Sequence, residues 1–430
     1  MNEFPQGIAR RDLLRLLGAV GLGASAVACA GPGSSGQRGG AAPATGEVTG
    51  SISFAHWRAE DKEVFDKLIA DFVSAHSGVT VRQDISPSND YQSTALQRIR
   101  GGAIGDAFTA FRGAQFVAMV KAGLYSDLSA QSFVGGYDPR LIESGKDGGK
   151  QLGLPYQLVF NMPLANTQVL EQNGFAKLPT DWDGFIAMCQ ELKARGIIPI
   201  AFPGGDPGNA GQLLNCMVMN NAPSDDMFAK IEAGEMKATD DWYVKTLEQY
   251  AQLRPYVQPN ASGTAVEPAQ QLFASQKAAF LATGSFHIKA VRKLGAKFPI
   301  GLYAPITVAA GQAKYDGIHN ATFVLGVSTA SKNQATALEF VKFLSEPQNA
   351  AAYANGTAQH VTVKGVQYTD PDLKALEPWL SKKTLLAPRF QFNDLDIRAA
   401  VENAATEVLA GKSPQQAAAA AQRIVDQKRR

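Results

Sequence analysis

Hydrophobic positions alternate from Gly50 to Trp57 (GSISFAHW), which predicts a strand with one buried face. Asp61 to Ser77 follows, with Val64, Leu68, Ile69 and Phe72 at helical spacing. The pattern then predicts a strand at Val79–Asp84, a helix at Tyr91–Arg100, a strand at Gly105–Phe111 and a helix at Gln115–Gly123. The middle of the chain repeats this grammar. Leu152–Tyr156 leads into an apolar strand at Leu158–Met162, and Asn166–Gly174 reads as a helix with a glycine stop. Thr180 is placed to cap the next helix, with Asp181 and Asp183 near its positive end, and that helix runs to Gly196. Pro199–Phe202 and Thr322–Val327 read as strands. Asp241–Leu253, Pro268–Ala274, Phe286–Leu294, Asn333–Leu344, Val401–Leu409 and Pro414–Gln427 read as helices. Strands alternating with helices predict an α/β fold with a sheet covered on both faces. No internal repeat is visible, and 430 residues allow two to four domains.

The first residues break this pattern. Arg10 and Arg11 precede a 13-residue apolar run from Leu16 to Ala28, too short for the roughly 20 residues of a membrane span. A basic start, a short apolar core and small residues before a cut site predict an export signal at 1–28. The paired arginines followed by leucines resemble a twin-arginine signal. Ala26-Val27-Ala28-Cys29 resembles a bacterial lipobox, in which Cys29 takes the lipid, although Ala26 departs from the usual leucine. Gly, Ser, Ala and Pro dominate the next stretch, so 29–46 is expected to be a flexible tether. Together they predict a body held at the outer face of a bacterial cytoplasmic membrane.

Composition removes several classes. Apolar residues at 45% and charged residues at 19% exclude a mostly disordered chain. A net charge of +2 supplies no basic stripe for nucleic acid. Three cysteines exclude a disulfide scaffold, and Cys189 and Cys216 are expected as buried free thiols rather than a pair. Five unclustered histidines predict no metal site, and no cofactor is expected. His-Glu-x-x-His and Gly-x-Ser-x-Gly are both missing. Gly411-Lys412-Ser413 has Thr406 where a phosphate loop needs its first glycine, and reads as a turn.

Six segments, in order, resemble the large carbohydrate-binding family of bacterial ABC-importer receptors that includes maltose-binding protein. They are Gly153-Leu154-Pro155-Tyr156 with Phe160-Asn161; Pro179 to Phe185; Lys193 to Ala201; Gln276 to Phe280 with Gly284-Ser285-Phe286; Ala337 to Pro347; and Gly411 to Ala417. Phe286 stands where the family more often has Trp. The resemblance covers roughly residues 50–428. It implies a two-lobed periplasmic-binding-protein fold of the type II, maltose-binding kind, with strands crossing near Tyr156, Tyr303 and Glu346. The first lobe is then expected at 47–156 plus 304–346, and the second at 157–303 plus 347–430. It further implies a monomeric receptor, without catalysis, that closes on a mono- or oligosaccharide and hands it to ABC permease subunits. The alternatives are a receptor for a glycerophosphodiester or other non-sugar solute, or a secreted glycoside hydrolase built on a pair such as Asp106 and Asp206.

A sugar site needs aromatic platforms for C–H faces and polar groups for hydroxyls. Candidates sit where strands end. Trp57 and Arg58 follow the first strand, and Phe111 and Arg112 the third. Tyr156 lies at the expected hinge, where its role is either contact or packing. Asp206 lies in a glycine-rich loop and either binds hydroxyls or shapes a turn. Phe286 replaces the family's Trp. Asn320 precedes a strand, and Arg389 with Phe390 forms a late pair. Trp182 and Trp242 look helical and are expected to pack.

Overall fold

The computed structural model describes residues 40–430. Strands β1 (Gly50–His56), β2 (Val79–Ile85) and β3 (Ala107–Ala110) alternate with helices at Lys62–Ala75 and Ser88–Arg100. β1 runs parallel to both β2 and β3. Its last five residues are all buried, as a strand covered on both faces requires. Two long strands, β4 (Leu154–Phe160) and β5 (Gly317–Val327), then cross the molecule antiparallel to each other. With β6 (His360–Val361) the order is β6-β4-β5-β3-β1-β2, and β7 (Thr384–Leu386) pairs with the start of β5. A second sheet of four strands has the order Ile300–Leu302, Leu164–Asn166, Ala278–Leu281, Ile198–Ala201.

Each sheet anchors its own core. Phe54, Phe65, Phe108, Phe340 and Tyr353 centre the first; Phe185, Phe202, Tyr250, Phe280 and Tyr303 centre the second. β4 and β5 take part in both: Tyr156 packs in the first and Phe160 in the second, while Ile318 packs in the second and Val324 in the first. The core division departs from the expected lobe ranges in two stretches. Ala304, Ile306 and Tyr315 pack in the second core, and Ala350, Tyr353, Val361 and Leu373 pack in the first. The passages between cores therefore fall within β4, within β5 and between Ala354 and Leu376, where Ala358 touches the second core before Val361 and Leu373 pack in the first, rather than near Tyr303 and Glu346. Phe323 sits at the middle passage with φ of 54°, a conformation costly for a bulky residue, by about 1–3 kcal/mol.

Local readings shift in places for identifiable reasons. Asp181, not Thr180, caps the helix at Trp182–Ala194, its carboxylate accepting from Gly184 N–H at 2.8 Å. Leu152–Tyr156 and Leu158–Met162 fuse into β4, because Gln157 has a buried partner and does not interrupt the strand. The late helix begins at Leu395, capped by Asp394. The helix at Gln212–Asn221 escapes sequence reading because Gln212 to Met219 are all buried and no polar face marks its period. Cys189 and Cys216 are buried free thiols, the latter donating to the Asn161 carbonyl oxygen at 3.1 Å. Residues 40–44, expected in the tether, are fastened to the body: Asp127 N–H donates to Ala41 O at 3.0 Å, and Ala44 N–H to Gln334 Oε1 at 2.7 Å. The expected signal and Cys29 lie outside the described residues.

Candidate functional site

The alternation of β4 and β5 builds two opposite walls. Gln157 faces Thr322 across the ladder, and Val159 faces Asn320, so these four share one side of the ribbon. They floor a cavity of about 510 Å³ between the two cores, within the roughly 300–1,000 Å³ of small-molecule sites. The rest of its lining comes from strand ends. Trp57, Arg58 and Glu60 follow β1; Ser86 and Asn89 follow β2; Phe111 follows β3. From the other core come Gly208, Asn209 and Gln212, then Phe286 and His287, then Arg389, Phe390 and Arg398. Carboxyl ends of parallel strands are where α/β sheets hold ligands, since loops there converge without blocking the ladder.

Trp57 is stacked on Phe111, with ring centroids 3.8 Å apart and 21° between planes. Tyr91 and Phe323 hold the other sides of its indole. Arg58 lines the cavity but its guanidinium is committed. Nε and Nη2 donate to Asp61 at 2.9 and 3.0 Å, and Nη1 lies 2.8 Å from Glu60. Burial opposes its charge, but Asp61 and Glu60 outweigh that and hold its pKa above the ordinary value. Asp61 also accepts from Tyr353 OH at 2.6 Å, and Tyr353 OH accepts from Gln157 Nε2. Arg58 thus fixes Gln157 through two intermediaries rather than offering free donors.

On the other wall Arg389 forms a buried pair with Glu402 at 2.8 Å, the two side chains 4% and 5% exposed. Its Nη1 donates to Gly208 O at 2.7 Å, while Asn215 bridges to Glu402 at 2.9 Å. Among the described residues, five buried polar atoms of the lining side chains have no hydrogen-bond partner: Asn161 Oδ1, His287 Nδ1, Thr322 Oγ1, Arg389 Nε and Arg398 Nε. Unsatisfied buried groups are costly, and all five belong to side chains of this lining. The charges balance: Arg58, Arg389 and Arg398 are met by Glu60 on the lining and by Asp61 and Glu402 directly behind it.

Contacts bridge the two cores beside the cavity. Arg398 Nη2 donates to Gln92 Oε1 at 3.2 Å, tying the Leu395–Leu409 helix to the Ser88–Arg100 helix. Arg112 Nη2 donates to Ala387 O at 2.9 Å. Gly113, at φ of 85°, lets the loop after β3 meet Phe390: a Cβ there would lie 2.6 Å from the Phe390 carbonyl oxygen. All three contacts join residues beside one core to residues beside the other.

Of the residues singled out in the sequence, the structure brings Trp57, Arg58, Phe111, Phe286, Asn320 and Arg389 together on this lining. Arg112 does not line it. Its Nε donates to Asn320 Oδ1 at 2.8 Å, and it faces a second cavity outside the ribbon. Tyr156 points into the first core, its hydroxyl donating to Leu344 O at 2.9 Å, because the strand's alternation turns it away from Gln157. Asp206 caps a short helical turn, its carboxylate accepting from Gly208 N–H at 2.9 Å. Asp106 is spent on Ser53 and Ser331, so Asp106 and Asp206 form no pair in the cavity. Gln157, read only as a hinge neighbour of Tyr156, and Asn161, His287 and Arg398, not singled out for the site, also line the cavity. The first two were legible from the period of two along β4; Arg398 meets Gln92 only through tertiary structure.

Four histidines near the two cavities have depressed pKa values, chiefly through burial. His56, His319 and His360 are pulled to about 4 and His287 to about 3. The folded state therefore binds fewer protons than the unfolded chain between the free-imidazole value and about 4. Stability should be complete above about pH 6.5 and fall as the pH drops toward 4. His56 and His360 are 0% and 1% exposed and should each contribute on the order of 3 kcal/mol. Melting temperatures between pH 7 and pH 4.5 check this; a flat profile would contradict it.

Comparison with known proteins adds three findings. Residues 58–351 match the family model described as bacterial extracellular solute-binding protein. A relative named multiple sugar-binding protein, from Streptococcus mutans, is 23% identical over 334 residues, 74% of this chain and 76% of its own. Among solved structures, the solute-binding protein RafE in complex with raffinose superposes with a TM-score of 0.78 at 17% identity, covering 89% of this chain and all of its own. A chitin oligosaccharide binding protein gives 0.76 at 20% identity, covering 88% and 98%.

Proposed function

The chain belongs to the bacterial extracellular solute-binding protein family, and we propose that the solute it captures is a neutral carbohydrate, held in the cavity between Trp57 and Phe286. The observation that carries this reading is the lining itself. Aromatic faces from Trp57, Phe111, Phe286 and Phe390 accompany five unpartnered polar atoms and a balanced set of charges. Hydroxyl groups satisfy both lone donors and lone acceptors, and sugar C–H faces suit aromatic rings. An anionic solute would need positive charge not already neutralised, and Arg58 and Arg389 are both ion-paired. Among the described residues Glu60 is the one carboxylate on the lining and is tied to Arg58, whereas hydrolysis by paired carboxylates needs two. The reading is capture without chemistry.

The relative from Streptococcus mutans and the raffinose and chitin oligosaccharide proteins support the carbohydrate class by their names. In this reading the body is an exported receptor anchored by lipid at Cys29, and it delivers the sugar to the permease of an ABC importer. The two cores correspond to two lobes, with β4, β5 and the segment from Ala354 to Leu376 as the hinge.

A thermal-shift panel tests this. The panel holds neutral mono- and oligosaccharides, amino sugars, glycerophosphodiesters and amino acids. A neutral sugar at 100 times its dissociation constant should add about 2.7 kcal/mol of stability. Its affinity should change little between low and high salt. A response confined to phosphodiesters or amino acids, or an affinity that collapses in salt, would overturn the carbohydrate reading.

A further inference from the structure

A second cavity, of about 980 Å³, lies on the other face of the crossing strands. The alternation that turns Gln157 and Val159 inward turns Leu158 and Phe160 outward, and likewise His319 and Ala321 on β5. The outer floor is therefore apolar, and Trp379 and Leu385 extend it. Its rim is basic. Arg112, Arg140, Lys146, Lys364, Lys382 and Lys383 face Asp138, Glu143 and Asp147. Arg140 is held by Asp138 at 3.0 Å and Lys146 by Glu143 at 2.5 Å. Among the described residues the other four cations have no carboxylate partner, which leaves them set against Asp147 alone. Asp316, beside the rim, accepts from the backbone N–H of Lys383 at 3.0 Å.

Arg112 is the least compensated. Its bonds go to neutral oxygens of Asn320 and Ala387, and burial pulls its pKa down to about 9. A desolvated guanidinium without a counter-charge is relieved by an incoming anion, and its planar donors suit a carboxylate or phosphate. The Lys382 ammonium lies 3.9 Å over the Trp379 ring, so a positive charge and an aromatic shelf stand side by side. The inner cavity has neither this excess charge nor this apolar floor.

We propose that the outer cavity is a second ligand site, for a small organic anion with an aromatic or aliphatic body. Arg112, Lys382 and Lys383 take its carboxylate or phosphate, and Leu158, Phe160 and Trp379 take its body. This does not depend on what the inner cavity binds.

Phenyl phosphate is the probe, with phenol as its neutral counterpart, titrated calorimetrically into the full chain. Phenyl phosphate should bind and phenol should not, and binding should weaken as salt rises. The double variant Lys382→Glu/Lys383→Glu should lose at least ten-fold in affinity, with its melting temperature unchanged. Phe286→Ala, on the inner cavity, should leave phenyl phosphate binding as it is. Absence of binding, equal binding of phenol, or full affinity in the double lysine variant would each overturn the proposal. Loss on Phe286→Ala alone would do so too, by placing the probe in the inner cavity.

Discussion

Trp57→Ala should weaken sugar capture by about 30-fold to 1,000-fold, the roughly 2–4 kcal/mol that a central aromatic anchor commonly supplies. The indole lines the cavity with one face against Phe111, so it arrives already fixed and loses little freedom when a sugar packs on it. Trp57 is also 8% exposed and touches Tyr91 and Phe323, so alanine will lower stability by about 3–5 kcal/mol as well. Trp57→Phe separates the two effects. It keeps most of the packing and an aromatic face, and should recover most of the stability while binding about ten-fold more weakly than Trp57. Calorimetric titration of all three chains, with urea unfolding alongside, makes the check. An alanine variant that folds and binds within three-fold of the parent would remove Trp57 from the site.

Glu402→Gln should destabilise the fold by about 3–5 kcal/mol, the cost of leaving a buried charge without its partner. Arg389 and Glu402 are nearly inaccessible, and Asn215 and Gly208 are tied into the same network. Glutamine keeps the shape and some hydrogen bonds, so the loss reads out the charge. The double variant Arg389→Met/Glu402→Met should recover much of the stability, because two apolar groups of similar size leave no orphaned ion. Its sugar affinity should stay low, since Arg389 Nε would be gone from the cavity. A loss below about 1 kcal/mol in urea unfolding of Glu402→Gln would mean that water reaches the pair.

The α/β class was legible because strand and helix periods differ and β1 to β3 carry theirs plainly. The second core was harder to read. The buried helix at Gln212–Asn221 shows no polar face, and the short strands at Leu164–Asn166 and Ile300–Leu302 give too few residues for a period. The candidate lining was legible where an aromatic or Arg follows a strand, as at Trp57, Phe111, Phe286 and Arg389. It failed at Asp206, where a carboxylate near a helix start is as useful for capping as for binding. It failed at Tyr156 because direction depends on register, and one residue's shift reverses every face. The same register explains why Gln157 and Asn161 belong to the cavity and why Leu158 and Phe160 belong to the groove behind it.

A crystal structure of the chain with the sugar that the panel selects is the decisive measurement. An intact sugar is expected in the inner cavity, one ring face on Trp57. Its hydroxyls should meet Asn161 Oδ1, Thr322 Oγ1, His287 Nδ1 and the Nε atoms of Arg389 and Arg398, with the Gln92–Arg398 contact still made. A sugar seated in the outer groove, a cleaved product, or an inner cavity whose polar atoms stay unpartnered would contradict it.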